Sequence, residues 1–154
     1  MAKKIVGIYD LGITKEMMQK LYELEQYGYT VELIEKTVGE DELSYQASML
    51  SVEVNGPEKT EINPAVFDAV KDAEIVVTHF APVSKRLMDS APGLKVIATC
   101  RTGMENINMK AAEEKGIQVV NAPGRAATAV ADFTVAAIIC EIRNIARTDE
   151  DIKR

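Results

Sequence analysis

The chain has 154 residues, 47% hydrophobic and 27% charged, with a net charge of −6 at pH 7. A chain of that length is one domain's worth and buries about 70% of its unfolded surface, so it needs neither a disulfide nor a metal to hold it. The negative balance without a basic patch argues against a nucleic-acid partner.

Residues 4–9 form a short apolar run ending at Asp10-Leu11-Gly12, the pattern of a buried parallel strand and its exit turn. The Met1-Ala2-Lys3-Lys4 start and the brief run after it are too short for a signal peptide, which makes the cytoplasm the expected location. Thr14 is placed to cap a helix in which Met17, Met18, Leu21 and Leu24 recur at amphipathic spacing, and Gly28 closes it. Residues 30–34 read as a second strand. Between Glu40 and Ile62 no period dominates, and a helix over 41–50 is the most the pattern supports. Asn63-Pro64 then supplies an N-cap and a first-turn proline for a helix running to about Asp72. Residues 74–78 are a third strand and 84–90 a short helix stopped by Pro92-Gly93. Residues 94–100 are a fourth strand, 109–115 a helix stopped by Gly116, and 118–121 a fifth strand.

Strands alternating with helices predict an α/β fold, a flavodoxin-like doubly wound parallel sheet of about five strands in the order 2-1-3-4-5. Ligands of such sheets meet the loops at the carboxyl ends of the strands, here 10–13, 78–83, 100–106 and 121–125. The last element, "AATAVADFTVAAIICEIRNIA" over 126–146, is apolar on nearly every side, which is the mark of a buried helix. Asp132, Glu141 and Arg143 interrupt it too early for a membrane span. One doubly wound domain buries one face of such a helix, so a second domain or a second subunit is expected on the other. Cys100 and Cys140, each inside an apolar run, read as buried free thiols.

None of the nine glycines stands in a G-x-G pair, so a dinucleotide fingerprint is absent; no P-loop, zinc spacing or G-x-S-x-G elbow occurs either, and no metal is expected. A phospho-accepting receiver is excluded because the third strand ends in Thr78-His79 rather than Asp, and "DLGIT" is a poor flavin-phosphate loop. His79, the single histidine, sits where such sheets place ligand groups; it is read as catalytic, as lining a ligand, or as a packed neighbour of the loop. Thr102-Gly103 can present main-chain amides to an anion, with Arg101 beside them as a carboxylate fork, or Gly103 can be a plain strand exit and Arg101 a surface charge.

The stretch from Glu74 to Arg147 does more than periodicity can. Its "LKVIATCRTG" strand and loop, the Asn106-Ile107-Asn108 turn, "AAEEKGIQVVNAPG" and the long helix after it together resemble the D-isomer-specific 2-hydroxyacid dehydrogenases, the family of D-3-phosphoglycerate dehydrogenase. The resemblance implies a substrate-binding domain over 1–122 and an interdomain helix over 123–154. It also implies a partner Rossmann domain binding NAD, in which the family's catalytic Arg, Glu and His lie. No catalytic or cofactor-binding residue is therefore expected in this chain, and the chain alone is expected to be inactive.

The substrate, a small 2-hydroxy or 2-oxo acid, is expected at His79, Phe80, Ala81, Pro82 and Val83, which match the family's first substrate loop. Arg101, Thr102, Gly103 and Asn106 match its second. Thr102 stands where many relatives have Gly, and Asn108 where most have Asp. Homo-oligomerisation through 126–146 is expected, with no nucleic-acid or membrane partner. The alternatives are a non-catalytic module or truncated pseudoenzyme that senses small carboxylates, and a shortened reading frame.

Overall fold

The computed structural model describes residues 3–153. Met1 and Ala2, at which the leader reading begins, lie outside them. Two compact units divide the chain after Ala122.

In the first unit β1 (Lys3–Tyr9), β2 (Tyr29–Glu35), β3 (Ala73–Thr78), β4 (Val96–Thr99) and β5 (Gln118–Val120) form one parallel sheet in the order β2-β1-β3-β4-β5. This is the doubly wound order the alternating pattern predicts. Side chains alternate across the sheet. Val6, Ile8, Val76 and Ile97 join Val66, Val70, Leu87, Met88 and Ala111 in one core, which covers the face carrying α3 (Ala65–Ala69), α4 (Lys85–Asp89) and α5 (Met109–Glu114). Ile5 and Val77 face the other way, against Met18, Leu21 and Leu24.

The first helix departs from expectation. Only Lys15–Met18 is α-helical (α1); Gln19–Tyr27 continues as a 3-10 helix to Gly28, whose φ is 84°. Met18, Leu21 and Leu24 are spaced by three, and the three-residue turn of a 3-10 helix stacks them in one row on the sheet. The helix begun at Asn63-Pro64 is also shorter than predicted. It ends at Ala69, because after the last i−4 bond, from Val70 N to Val66 O, the i−3 bonds from Lys71 N to Asp68 O and from Ala73 N to Val70 O tighten the chain into β3.

The featureless stretch after residue 40 contains α2 (Glu42–Asn55), which runs five residues past the end at 50 that the pattern supports. Asp41 caps it, accepting from Ser44 N at 2.8 Å, while Asp41 N donates to Ser44 Oγ at 3.0 Å. Its inner face is thin, Tyr45 and Val52 being its buried residues. A second anchor replaces the missing apolar stripe. Lys36, fully buried at the end of β2, donates from Nζ to Glu40 at 2.8 Å and to Ser48 Oγ of α2 at 2.9 Å, with the Tyr45 ring 5.1 Å away.

In the second unit the predicted long helix is broken. α6 (Ala127–Ile142) stops before Asn144, which has φ 55°, and α7 (Ile145–Lys153) follows. Asparagine tolerates the left-handed region. Nothing within the unit buries α6: Val130, Phe133, Val135, Ile138, Ile139 and Ile142 are all exposed, as is Cys140. The expectation of a buried helix and of a buried Cys140 therefore fails inside this unit, while Cys100 is half-buried. Among the described residues no helix is long and apolar enough to cross a membrane.

Candidate functional site

The strand order brings together groups that are remote in sequence. Asp10 and His79 each follow a strand directly, and those strands, β1 and β3, are neighbours. His79 Nδ1 lies 3.0 Å from Asp10 Oδ1, with both residues buried. The same carboxylate accepts from Gly12 N and Ile13 N at 2.9 Å and from Phe80 N at 3.0 Å. Burial pushes the Asp10 carboxyl up, but the His79 hydrogen bond and charge and the Ile13 and Phe80 amides outweigh it and hold the group below its ordinary value.

Tyr45 of α2 closes this cluster from above. Its hydroxyl and the His79 ring fill the space that a side chain at Gly12 would need, and its ring meets Phe80 edge-on at 6.4 Å. Burial, then the Asp10 and Glu40 charges, push the phenol well above its ordinary value, so it stays a neutral donor.

The second loop follows β4. Arg101 lays its guanidinium over the Phe80 ring, Cζ being 3.5 Å from the ring centre. Nη2 faces Glu53 of α2 at 3.1 Å and Glu105 at 3.7 Å, whereas Nη1 is buried with no hydrogen-bond partner among the described residues. The Glu105 carboxylate stands directly against Gly103, where a side chain at 103 would have to push it aside. The loop is pinned at both ends. Thr102 Oγ1 donates to Ala122 O at 3.2 Å and Asn121 Nδ2 donates to Thr102 O at 2.7 Å. Asn106 Nδ2 donates to the carbonyls of His79 and Ala81 at 3.2 and 3.1 Å, and a parallel bridge joins Val83 to Ile107. Asn108 caps α5, accepting from Ala111 N at 2.9 Å.

The two predicted loops thus meet, but they present different things. His79, Phe80, Ala81, Pro82 and Val83 are all buried and form a packed floor rather than an open lining. Asn106 is buried as their tie, with Oδ1 lacking a partner among the described residues. Arg101, Thr102 and Gly103 form the reachable edge. The sequence reading missed Asp10 as the partner of His79, and it missed Tyr45, Glu53 and Glu105. The first was legible only once β1 and β3 were known to be neighbours.

A cavity of about 580 Å³ opens nearby between the 57–62 loop, Pro82 and Arg86. In its lining Glu58 accepts from Lys85 N and Asn108 Nδ2, and Arg86 lies over Phe67.

Residues 29–154 match the family model of the D-isomer specific 2-hydroxyacid dehydrogenases, catalytic domain. The chain belongs to that family. It is 33% identical over 124 residues to D-3-phosphoglycerate dehydrogenase of Methanocaldococcus jannaschii, covering 79% of this chain and 23% of that protein. It is 34% identical over 79 residues to hydroxypyruvate reductase of Thermotoga maritima, covering 51% and 26%. The NAD+-bound 3-phosphoglycerate dehydrogenase of Entamoeba histolytica shares the fold, with a TM-score of 0.64 at 22% identity, over 91% of this chain and 39% of that one. The chain therefore spans about a quarter to two fifths of these relatives' lengths.

The β1 exit turn of this dehydrogenase-family chain does not fit a dinucleotide phosphate. At the β1 exit, where a phosphate cradle needs free amides, the Gly12 and Ile13 N–H groups are already given to the Asp10 carboxylate. That negative charge repels a pyrophosphate, and Tyr45 and His79 fill the space above Gly12.

Proposed function

We propose that residues 1–122 form the substrate-binding domain of an NAD-dependent D-2-hydroxyacid dehydrogenase. Residues 123–154 then lead towards a cofactor domain that lies outside this sequence. The complete enzyme interconverts a D-2-hydroxy acid and its 2-oxo acid, NAD supplying the hydride chemistry. No step of hydride or proton transfer is assigned to residues of this chain.

The observation that carries the reading is a carboxylate already held at the loop, that of Glu105, against Gly103 and 3.7 Å from Arg101. A substrate acid brings a carboxylate to the same arginine. Arg101 offers a planar donor fork and Thr102-Gly103 offer main-chain amides. Residues 79–83 and Asn106 hold the loops in place. Asp10 and His79 are buried and mutually satisfied, which suits anchoring of the 79–83 loop. Joined to the NAD-binding domain of a relative, the chain is expected to reduce 2-oxo acids with NADH, and alone to do neither that nor bind NADH.

The exposed apolar surface of α6 supports self-association. Sedimentation equilibrium is expected to give a dimer that Ile138→Glu dissociates; a strict monomer at high concentration would overturn this.

A further inference from the structure

We propose that Glu53, on the last turns of α2, restricts the substrate to an acid bearing a single negative charge. The proposal rests on the carboxylate-binding reading of the 101–106 loop. Arg101 is the one cation that contacts this loop among the described ion pairs, and two carboxylates flank it, Glu53 at 3.1 Å and Glu105 at 3.7 Å. The cluster therefore carries a surplus negative charge before any ligand arrives.

The two glutamates also leave the guanidinium incompletely used. Both approach Nη2, while buried Nη1 is without a partner. One ligand carboxylate that replaces Glu53 can engage both nitrogens in parallel, which a planar fork favours over one-sided contact. Glu53 is suited to give way: its side chain is 47% exposed, whereas the body of α2 is fixed separately by Tyr45, Val52 and the Lys36–Ser48 bond. It acts as an exchangeable counter-ion.

A ligand with one carboxylate displaces Glu53 from Arg101 towards solvent, where its charge is better screened, and adds one negative charge to the cluster. A ligand that also carries a phosphate brings two further charges within a Debye length of Glu53 and Glu105, and is repelled. A short unphosphorylated 2-hydroxy acid is therefore the expected class, although some of the chain's relatives are phosphoglycerate dehydrogenases.

D-glycerate and 3-phospho-D-glycerate differ only by the phosphate, and their binding to the 154-residue chain can be measured by isothermal titration calorimetry. D-glycerate is expected to bind at least about tenfold more tightly. Glu53→Gln should reduce that preference about tenfold, chiefly by tightening the phosphorylated ligand, and Glu53→Asp should retain it. The unfolding midpoint of Glu53→Gln should match that of the parent, which separates selectivity from folding. If Arg101→Met abolishes glycerate binding but Glu53→Gln leaves the ratio within twofold, the role of Glu53 is wrong and the carboxylate site stands. If the parent binds neither acid, or Arg101→Met binds glycerate like the parent, the site reading fails and this inference with it.

Discussion

Replacing Asp10 by Ala is expected to destabilise the chain by about 4 kcal/mol, because three main-chain donors, those of Ile13 and Phe80 buried, and a histidine lose their common acceptor at once. Gly12 N, Ile13 N and Phe80 N all point at this carboxylate, and His79 Nδ1 lies 3.0 Å from it. Orphaned N–H groups cost more than the net worth of the bonds removed, since the site is roofed by Tyr45 and water reaches it poorly. Asp10→Asn keeps an oxygen for two of the donors and should cost about half as much.

The same carboxylate carries a pH signature. Its folded value lies below the ordinary one, so its contribution is complete above the unfolded carboxylate value, about 3.9, and is lost as pH falls through the lower folded value. Urea unfolding at pH 7 and at pH 3 measures this: the loss of stability on acidification should be smaller in Asp10→Asn than in the parent. Equal acid sensitivity of the two would show that Asp10 is not a stabilised carboxylate.

Glu40→Ala is expected to cost about 3–5 kcal/mol, the range for a buried ion pair broken on one side. The Lys36 and Glu40 side chains are 1% and 4% exposed and 2.8 Å apart. Without Glu40, the ammonium keeps Ser48 Oγ and the Tyr45 ring but loses its charge partner. The double change Lys36→Met with Glu40→Leu removes both charges together and should recover most of that loss. Urea unfolding of the two variants distinguishes these cases. A loss under about 1 kcal/mol in Glu40→Ala would place the pair at the surface.

These two effects also mark where the sequence stopped being informative. The five strands were legible because each is a short apolar run between turn residues. Their order followed from the alternation with helices. The site was half legible. Arg101 to Asn106 stand at a strand's carboxyl end, and local sequence is enough to find them. The Asp10–His79 pair spans 69 positions and becomes visible only through the adjacency of β1 and β3.

α2 was opaque for a different reason. Its two buried residues, Tyr45 and Val52, make too thin a stripe to produce a period, and its other anchor is a buried lysine, which any hydrophobic pattern counts as surface. Glu53 and Tyr45 belong to the site only because that anchor sets α2 across the carboxyl ends of β1 and β3. The break at Asn144 depends on a single left-handed residue, inside a run whose composition is helical throughout.

The most direct measurement is steady-state NADH oxidation by the chain fused to the cofactor domain of its Methanocaldococcus jannaschii relative, with glyoxylate and hydroxypyruvate as acceptors. Acid-dependent turnover that Arg101→Met reduces at least about tenfold is the predicted result. A folded fusion that binds NADH, as nucleotide fluorescence would report, yet oxidises none of it with either acid would contradict the assignment of this chain as a dehydrogenase's substrate-binding half.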